Sequence, residues 1–432
     1  MVSKYYKKYI RIPPNESIDI RGIMPIVSHP RFQRLLHVSQ LATTIRVFPG
    51  ASHNRFEHAL GVYSKTARFC ARMVQEGFLG EHEARNVSLF GLLHDIGHGP
   101  FSHLIEHLMP YDHDQNGLNI IAELKKEIKE SGGDQALIKR IFARKSPLYK
   151  IVMDKNLGMD KLDYLQRDTF HIGFGPLPDI PSVFDYLVWM KGNLVLDKKS
   201  LEAAKQIQRL YLYMYKEVYL HKSSLISQRF LQKIIALWFS QHHIDHEELW
   251  ALNDHELIAK IYTDDDLRLQ FLYSSYMDRV LPSTGLVFRI DDKKVRERLA
   301  CKDIKVIGKD MAFFDRFTKR SSPRDLELME QEIARTLDIP LHTVLVVPIL
   351  APWRFAPEDI LYHDEGKILS LKETQADYFN AMRAELEEYL AVRVCVLGDR
   401  RVAYRHAAKI EHAIERYLVG PRVPASTLEF SM

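Results

Sequence analysis

The spacing of hydrophobic residues predicts two short strands at the start of the chain and then a long series of helices. Residues 5–27 hold two apolar runs separated by a Pro-Pro-Asn turn, which is typical of paired strands. From Pro30 the apolar residues recur at helical spacing, and a polar loop at 48–54 interrupts the pattern. A new apolar stripe that begins at Phe56 predicts a second helix.

Most of the chain up to residue 280 is predicted to be helical. The segment 84–96 is apolar on almost every side, so we expect its helix to be buried, with Gly97, Gly99 and Pro100 ending it. The other helices of this part are predicted at 101–109, 116–130, 135–144, 157–170, 181–191, 198–242 and 246–261.

After residue 280, predicted strands alternate with helices. The strands are predicted at 285–290, 342–350, 367–371 and 392–398, and the helices at 323–336, 374–390 and 402–418. We therefore predict a mainly α fold with two domains. They are a helical domain over residues 1–280 and a smaller C-terminal α+β region over residues 281–432.

The composition is that of an ordinary globular protein. Of the 432 residues, 46% are hydrophobic and 27% are charged, which argues against a disordered, collagenous or coiled-coil architecture. The 60 Lys and Arg residues nearly balance the 56 Asp and Glu residues, so the chain lacks the basic excess of a dedicated nucleic-acid coat. A local phosphate-binding pocket is still compatible with this balance.

Cysteine usage and hydropathy favour a cytoplasmic location. Cys70, Cys301 and Cys395 are far apart and form no Cys-x-x-Cys pair, which disfavours a disulfide scaffold or a thiolate zinc site and fits a reducing compartment. No run approaches the ~20 apolar residues of a membrane span. The basic N-terminus also lacks the apolar block of a signal peptide. We therefore expect no membrane partner.

The placement of the 20 histidines is the main chemical signal in the chain. The buried helix ends in His94-Asp95, and an imidazole and a carboxylate at such a position are costly unless they are paired or bound to metal. The same dipeptide recurs at 113–114 and 363–364. Taken alone, therefore, it is more simply explained as a capped or ion-paired site.

Further polar residues fall where they can join this pair. His98 follows His94 by one helical turn, and His103 and Glu106 are spaced to share a face. The helix predicted at 157–170 carries a polar stripe at four-residue spacing, formed by Asp160, Tyr164 and Asp168. In isolation this stripe fits a solvated face.

Four residues from three predicted helices could together hold a metal ion. His58 lies off the apolar stripe of its helix and adds an imidazole to His94, Asp95 and Asp160. Two imidazoles and two carboxylates suit iron, manganese, zinc or magnesium. They do not suit a structural zinc site, which prefers thiolates.

Three longer segments carry a family resemblance. They are VFPGASHNRFEHALGV at 47–62, GLLHDIGHGPFSH at 91–103 and GMDKLDYLQRD at 158–168. In this order they resemble the motifs of the HD-domain deoxynucleoside triphosphate (dNTP) triphosphohydrolase family, which includes bacterial enzymes and a human enzyme with an added sterile-alpha-motif domain. The resemblance is close over residues 15–260 and looser in the tail. It implies that the helical domain is an HD-domain core.

The resemblance implies a metal-dependent phosphohydrolase. His58, His94, Asp95 and Asp160 match the ligands of one divalent ion (Fe, Mn, Mg or Zn), and a second ion, Mg, is expected to accompany the substrate. In the family, the metal makes hydroxide available at neutral pH. The hydroxide attacks the α-phosphorus of a dNTP, and the products are a deoxynucleoside and inorganic triphosphate.

The resemblance also implies roles for residues around the metal. His103 and Glu106 match the family's general-acid dyad, in which the carboxylate is more commonly Asp. His98 and His113 match residues that contact the phosphates and support catalysis. The implied substrate contacts are Gln40, Leu41, Arg55, Lys161, Tyr164 and Asp168, together with Lys216, Tyr219 and His221 on a segment expected to line the pocket. Among them, Gln40 and Asp168 match the residues that hold the sugar 3′-hydroxyl.

Some positions depart from the family pattern. Where regulated members bind a guanine-nucleotide activator, this chain has Ser28, Gln33 and Leu36, and only Gln33 matches. Any allosteric nucleotide is therefore expected at an unlike site. Glu217 and Leu225 stand where an arginine and a tyrosine help to select triphosphate and deoxyribose, so this selection is left open.

Three functional interpretations remain. The first is a dNTP triphosphohydrolase that forms a homo-oligomer, because family members are dimers, tetramers or hexamers. In this case Lys216 or Lys222 could supply the positive charge that the family's arginine provides at the position of Glu217. The second is another HD-type nucleotidase or phosphodiesterase that uses the same metal centre. The third is a nucleotide-sensing or nucleic-acid-binding protein with weak catalysis. Its candidate surface is a basic run that is also typical of a solvated loop, formed by Arg316, Lys319, Arg320 and Arg324.

Overall fold

The computed structural model describes residues 8–14, 16–175, 178–242, 244–290, 299 and 302–420. Contacts divide the chain into two compact units. The first unit comprises Met1–Ser274 and Phe355–Glu385, and the second comprises Ser275–Arg354 and Leu386–Met432. The predicted domain boundary after residue 280 stays a prediction, and by contacts the segment 355–385 groups with the first unit.

Helices make up most of the described chain, which confirms the predicted mainly α fold class. The α-helices are α1 (Met24–Val27), α2 (Pro30–Gln33), α3 (Arg55–Gln75), α4 (Glu81–Leu93), α5 (His113–Glu123), α6 (Lys125–Glu130), α7 (Gln135–Phe142), α8 (Tyr149–Met153), α9 (Met159–Ile172), α10 (Ile180–Tyr186), α11 (Leu201–Met214), α12 (Lys222–His242), α13 (His246–Ala251), α14 (Asp254–Tyr262), α15 (Leu267–Met277), α16 (Met311–Thr318), α17 (Pro323–Leu337), α18 (Leu371–Thr374), α19 (Ala376–Glu387), α20 (Arg401–Arg405) and α21 (Ala407–Val419). Among the described residues, no helix is both long enough and apolar enough to cross a membrane.

In the part of the chain that the structure describes, the strands form three antiparallel or mixed sheets. They are β1 (Tyr9–Ile12), β2 (Glu16–Asp19), β3 (Leu187–Met190), β4 (Asn193–Asp197), β5 (Ser283–Arg289), β6 (Lys305–Gly308), β7 (Val344–Ile349), β8 (Leu361–Asp364), β9 (Lys367–Ser370) and β10 (Ala391–Val396). β1 pairs with β2, the first unit holds the sheet β3-β4-β8-β9, and the second unit holds the sheet β6-β5-β10-β7. β4 and β8 run parallel, with Leu196 opposite Tyr362.

The second unit has its own core, as expected for an α+β region. Alternate residues of the central strands face one side, so Leu286 and Phe288 of β5 and Val392 and Val394 of β10 are fully buried. They pack in one cluster with apolar residues of α17 and α21. All four strands predicted after residue 280 are present, although β6 and β8 were missed.

Several helix boundaries differ from the predictions. Residues 21–27, predicted as strand, form a 3-10 turn and α1. Residues 101–109 form two 3-10 turns instead of one helix, because Phe101 and Ser102 have positive φ angles of 54° and 58° that a right-handed helix excludes.

Four other predicted helices are interrupted. Those at 116–130 and 246–261 are each divided in two, at Leu124 and at Leu252-Asn253. The helix predicted at 181–191 ends at Tyr186 and is followed by the hairpin of β3 and β4. The helix predicted at 198–242 is broken by a π-helical turn, Tyr215–Tyr219, between α11 and α12. Helical spacing of apolar residues continues through the break, so the pattern alone did not reveal it.

Helices α3, α4 and α9 form the framework of the first unit. α3 packs against both α4 and α9, and the apolar side chains of α4, among them Leu89, Phe90 and Leu92, are fully buried. Gly91 allows α3 and α4 to approach closely, since a Cβ there would lie only 2.7 Å from the Thr66 hydroxyl oxygen. This packing brings the first turns of α3 and α9 to the end of α4.

Candidate active site

The four predicted metal ligands meet where these three helices converge. His58 comes from the first turn of α3, His94-Asp95 follows α4, and Asp160 lies in the first turn of α9. His58 Nε2 is 3.1 Å and His94 Nε2 is 3.7 Å from Asp160 Oδ1. Asp95 closes the group, at 3.6 Å from His58 Nε2 and 3.4 Å from His94 Nε2.

Both imidazoles are held by Nδ1, which leaves Nε2 facing the carboxylates. His58 Nδ1 lies 2.9 Å from Asp163 Oδ2, and His94 Nδ1 donates to the Gly91 carbonyl at 2.9 Å. Such outer hydrogen bonds are the rule for metal-binding histidines. His94 Nε2 is buried and has no hydrogen-bond partner among the described residues.

The donor set therefore fits a divalent ion. Ligand atoms bonded to one ion at about 2.0–2.3 Å lie roughly 3–4 Å from each other, and the four separations between an imidazole nitrogen and a carboxylate oxygen fall in that range. Two imidazoles with two carboxylates suit Fe, Mn, Zn or Mg, so the ion's identity is left open.

Protons occupy this group when no metal is bound. Burial disfavours a charge on His58, but its hydrogen bonds to Asp160 and Asp163 outweigh burial and raise the pKa of His58 to about 10. Burial likewise opposes the charged form of Asp160, yet His58 and His94 lower the pKa of Asp160 to about 2. A metal ion must therefore compete with at least one proton.

Metal affinity is accordingly expected to rise with pH. Below pH 10 an incoming ion has to displace the His58 proton, so the apparent Kd should fall about tenfold per pH unit for each proton displaced. Calorimetric titration of Mn²⁺ into metal-free protein, in buffers of different ionisation enthalpy, measures both quantities. An affinity that is independent of pH, with no proton release, would contradict the charge on His58.

Asp163 is a functional residue that the sequence reasoning missed. It is fully buried on α9 and accepts hydrogen bonds from Lys65 Nζ at 2.8 Å and Arg167 Nε at 2.9 Å, besides its contact with His58. The sequence did offer a signal for this role. Asp163 lies near the apolar residues Met159 and Leu162 of its helix, and a carboxylate buried among apolar side chains requires polar partners.

Replacing Asp163 with asparagine is expected to weaken metal binding about 10–100-fold, because His58 loses the anion that orients it. Lys65 and Arg167 would also lose a buried counter-charge, so the free energy of unfolding should fall by about 3–5 kcal/mol. Metal titration on the folded fraction and denaturant melts measure the two effects. Asp185→Asn, which changes an exposed carboxylate, is the control; equal metal affinity in both variants would refute the orienting role.

Arg55 lies beside the proposed metal ligands. Its guanidinium donates to Asp95 through Nη1 and to the Ser102 hydroxyl through Nε at 2.8 Å. Burial raises the pKa of Asp95, but the Arg55 charge outweighs burial, and the net pKa lies well below the usual range. A fixed cation is therefore available at the place predicted for a phosphate contact.

A second cluster contains the predicted catalytic residues, centred on Glu106. His103 Nδ1 and His113 Nδ1 lie 2.8 and 2.7 Å from Glu106 Oε1. His98 links the two groups, with Nε2 at 3.4 Å from Asp95 Oδ1 and Nδ1 at 3.9 Å from Glu106 Oε1. Burial opposes ionisation of Glu106, but His103 and His113 hold its pKa well below the usual range.

Asp168, predicted to bind the sugar, is held by two aromatic side chains. His53 Nε2 lies 2.7 Å from Asp168 Oδ1, and the Tyr219 hydroxyl donates to Asp168 Oδ2 at 2.5 Å. The Gln40 backbone N–H donates to the His53 carbonyl at 3.1 Å, which places Gln40 near Asp168. Leu41, the next residue, is half-buried. His53 was not predicted, because no local pattern links it to α9.

The remaining predicted substrate contacts are distributed along α9 and the π turn. Lys161 Nζ lies 3.5 Å from the centre of the Tyr211 ring, and burial lowers the pKa of Lys161 to about 8. Tyr164 is half-buried, and burial raises its pKa well above the usual value. Lys216 forms an ion pair with Glu385 at 2.8 Å, and His221 packs edge-on against Phe48.

The residues considered for regulation or nucleic acid also have structural partners. Gln33 donates from its side chain to the Val27 carbonyl at 2.7 Å. In the basic run of the second unit, Arg320 donates to the Gly420 carbonyl and lies over the Tyr417 ring. The run is thus partly used to pack its own unit.

Comparison with protein families decides the class. The HD domain model matches residues 55–166, which contain all four proposed ligands, and the HD associated region matches residues 179–418, more than half of the chain. The chain belongs to this HD-domain family. It is an HD-domain phosphohydrolase with an HD-associated region.

Similar proteins include dNTP hydrolases and proteins without an assigned activity. The chain is 29% identical to bovine deoxynucleoside triphosphate triphosphohydrolase SAMHD1 over 332 residues, which is 62% of this chain and 54% of that protein. It is 26% identical to the uncharacterized protein MJ1154 of Methanocaldococcus jannaschii over 84% of this chain and 81% of that protein. The chain thus spans about half the length of bovine SAMHD1.

The fold of this phosphohydrolase is also found in solved structures. A phosphohydrolase from Bacteroides thetaiotaomicron is similar with a TM-score of 0.69 and 24% identity, covering 91% of this chain and 100% of that one. A hypothetical protein from Aquifex aeolicus has a TM-score of 0.68 and 23% identity, covering 94% and 100%. At these identities, the likeness concerns the fold alone.

Proposed function

We propose that this HD-domain phosphohydrolase hydrolyses dNTPs to deoxynucleoside and inorganic triphosphate. The observation that carries the proposal is the contact between the two clusters. His98 lies 3.4 Å from the metal ligand Asp95 and 3.9 Å from Glu106 of the acid cluster. A site for the attacking oxygen and a proton donor for the leaving oxygen are therefore adjacent. Relatives named dNTP triphosphohydrolases, from cattle and Dictyostelium discoideum, support the choice of substrate.

His58, His94, Asp95 and Asp160 would hold the metal. A divalent ion bound there supplies a water of lowered pKa and polarises the phosphoryl oxygen. The ion is Fe, Mn, Mg or Zn, and a second Mg with the substrate is part of the proposal.

The cations beside the ligand set neutralise the triphosphate. Arg55 is fixed by Asp95 and Ser102, so it presents its charge without reorganising. Lys161, with a pKa of about 8, is mostly protonated at neutral pH. Tyr164 keeps its proton and can donate a hydrogen bond to phosphate.

The leaving 5′-oxygen receives its proton from His103. The His103 side chain is 62% exposed and its Nδ1 is bonded to Glu106, so Nε2 is the nitrogen that can reach a substrate. The anionic Glu106 accepts the hydrogen bond from Nδ1 and so orients the ring, with Nε2 directed away from it. His113 shares the same carboxylate oxygen and fixes its orientation.

Asp168 is proposed to receive the sugar 3′-hydroxyl. His53 and Tyr219 each use one of its carboxylate oxygens, and each oxygen keeps a second lone pair for the ligand. Gln40, whose backbone N–H bonds to the His53 carbonyl, and its chain neighbour Leu41 are proposed to complete this side of the site. With Glu217 and Leu225 at the family's selective positions, the ribose preference has to be measured.

Product analysis tests this function. Metal-free protein is loaded with Mn, Mg or Fe and incubated with each dNTP, NTP and dNMP, with and without a second nucleotide as activator. Equal amounts of triphosphate and deoxynucleoside from a dNTP are expected. Hydrolysis of dNMP alone would favour the nucleotidase alternative, and metal and nucleotide binding without turnover would favour the sensing alternative. Light scattering in the same samples tests the proposed homo-oligomer.

A further inference from the structure

We propose that His98, His103, Glu106 and His113 form a second metal site, which binds zinc and thereby stops hydrolysis. These four residues are called the acid cluster below. The binding site stands on the geometry of the acid cluster alone. Its effect on turnover rests on the proposed function.

The ligand atoms of the acid cluster are already close to a coordination sphere. Glu106 Oε1 lies 2.8, 2.7 and 3.9 Å from Nδ1 of His103, His113 and His98, respectively. One ligand atom from each of the four residues lies within 4.8 Å of all the others. With zinc bonds of about 2.0–2.1 Å, the edges of a tetrahedron are roughly 3.3 Å, and each of the three separations from Glu106 differs from that edge by about half an ångström.

His98 supplies an independent indication of a ligand. Its side chain is 2% exposed, and its Nδ1 is buried with no hydrogen-bond partner in the part of the chain that the structure describes. A buried imidazole nitrogen without a partner is unfavourable. This nitrogen faces Glu106, whereas Nε2 of the same ring faces Asp95.

The rings of the acid cluster pack against one another, and the stacked pair has to turn to bind one ion, because an imidazole nitrogen binds metal in the plane of its ring. His98 and His113 stack at 3.9 Å with an angle of 14°, and His103 stands perpendicular to His98 at 4.7 Å. His103 is the exposed member, so an ion can enter from solvent.

The donor types favour zinc over magnesium. Three imidazoles and one carboxylate are borderline ligands that suit Zn²⁺, whereas Mg²⁺ prefers oxygen and retains its waters. The HD ligand set has two carboxylates and therefore discriminates less between zinc and magnesium. Zinc in the acid cluster would replace the protons that His103 and His113 direct at Glu106. With Nδ1 of His103 bound to zinc, the ring keeps its Nε2–H but cannot form the imidazolium, so the leaving oxygen lacks an acidic proton donor.

Zinc stoichiometry tests the site without reference to activity. Equilibrium dialysis of the full chain should give two zinc ions for the wild type, and one each for His103→Gln and Asp160→Ala, which remove the acid cluster and the HD site respectively. His107→Gln is the matched control, because His107 lies in the same turn but contacts the Leu104 carbonyl. His103 is exposed, so its variant should fold; Glu106→Gln provides a second loss of the same ion. One zinc in the wild type, or two in His103→Gln, would overturn the site.

Activity decides the regulatory part. In protein that metal analysis shows to hold one manganese and one zinc ion, dNTP hydrolysis should be about 10²–10⁴ lower than with manganese alone, the usual contribution of a general acid, and a zinc chelator should restore it. An unchanged rate with both ions bound would overturn the inhibition. A wild type that binds two zinc ions and hydrolyses no dNTP with any metal would refute the proposed function and leave the site supported.

Discussion

Asp160→Ala is expected to lower dNTP turnover by about a thousandfold or more. Asp160 Oδ1 is the atom that faces both imidazoles, at 3.1 Å from His58 Nε2 and 3.7 Å from His94 Nε2. Without it, the remaining donors hold the ion weakly. Metal contributes several kcal/mol to a transition state of this type, which corresponds to roughly three powers of ten in rate.

The measurement combines kcat with the metal content of the purified variant. Asp185→Ala removes an exposed carboxylate from α10 and should keep full activity and metal. The Asp160 side chain is 31% exposed, so the variant is expected to fold. Any binding of nucleotide or single-stranded nucleic acid through other residues should persist. Turnover within tenfold of wild type in Asp160→Ala would contradict the assigned ligand set.

His103→Gln is expected to lower kcat by about 10²–10⁴, with a smaller change in KM, because glutamine can bond to Glu106 but cannot deliver a proton. A triphosphate ester with an acidic phenol as leaving group needs no such proton. It should be hydrolysed by the variant at nearly the wild-type rate. This difference between substrates separates an acid from a residue that only shapes the site.

His82→Gln is the control for this experiment. His82 and His103 side chains are 67% and 62% exposed, so the two changes disturb the fold to a similar extent. His82→Gln should leave both substrates unaffected. If His103→Gln slowed both substrates equally, His103 would be a structural residue, and the proton donor would have to be sought elsewhere.

The metal-ligand group was accessible from the sequence because its members lie at helix ends in recognisable motifs. Helix α4 is buried from Asn86 to its end at Leu93, so the polar pair that follows it had to be buried among partners. The structure brings the Nε2 atoms of His58 and His94 within 3.7 Å of both Asp95 and Asp160. Their proposed ligation is a prediction for the metal experiments.

The hydrogen bonds that hold the site residues in place could not be predicted from the sequence. Asp163 holds His58 across 105 residues of sequence, and His53 meets Asp168 across 115. Such contacts depend on how α3 and α9 pack, which single-helix patterns do not contain. The sequence motif at 158–168 contains Asp163, but only the burial of its side chain shows why this position is a carboxylate.

Interruptions of regular structure were missed for a related reason. The pairing of β4 with β8 joins Leu196 to Tyr362 and leaves no local trace. The hairpin of β3 and β4 did have one, a Lys191-Gly192 turn in which both residues have positive φ. The short apolar run before this turn fits a helix as well as a strand, so periodicity alone favoured the wrong element.

The most direct test of the proposed chemistry follows the oxygen of water during hydrolysis of a dNTP. Metal-loaded protein is incubated in heavy-oxygen water, and the products are separated and analysed by mass spectrometry and phosphorus NMR. Attack at the α-phosphorus predicts equal amounts of deoxynucleoside and triphosphate, with one labelled oxygen on a terminal phosphate of the triphosphate and none in the deoxynucleoside. Labelled monophosphate with pyrophosphate, or label in the sugar hydroxyl, would contradict the mechanism.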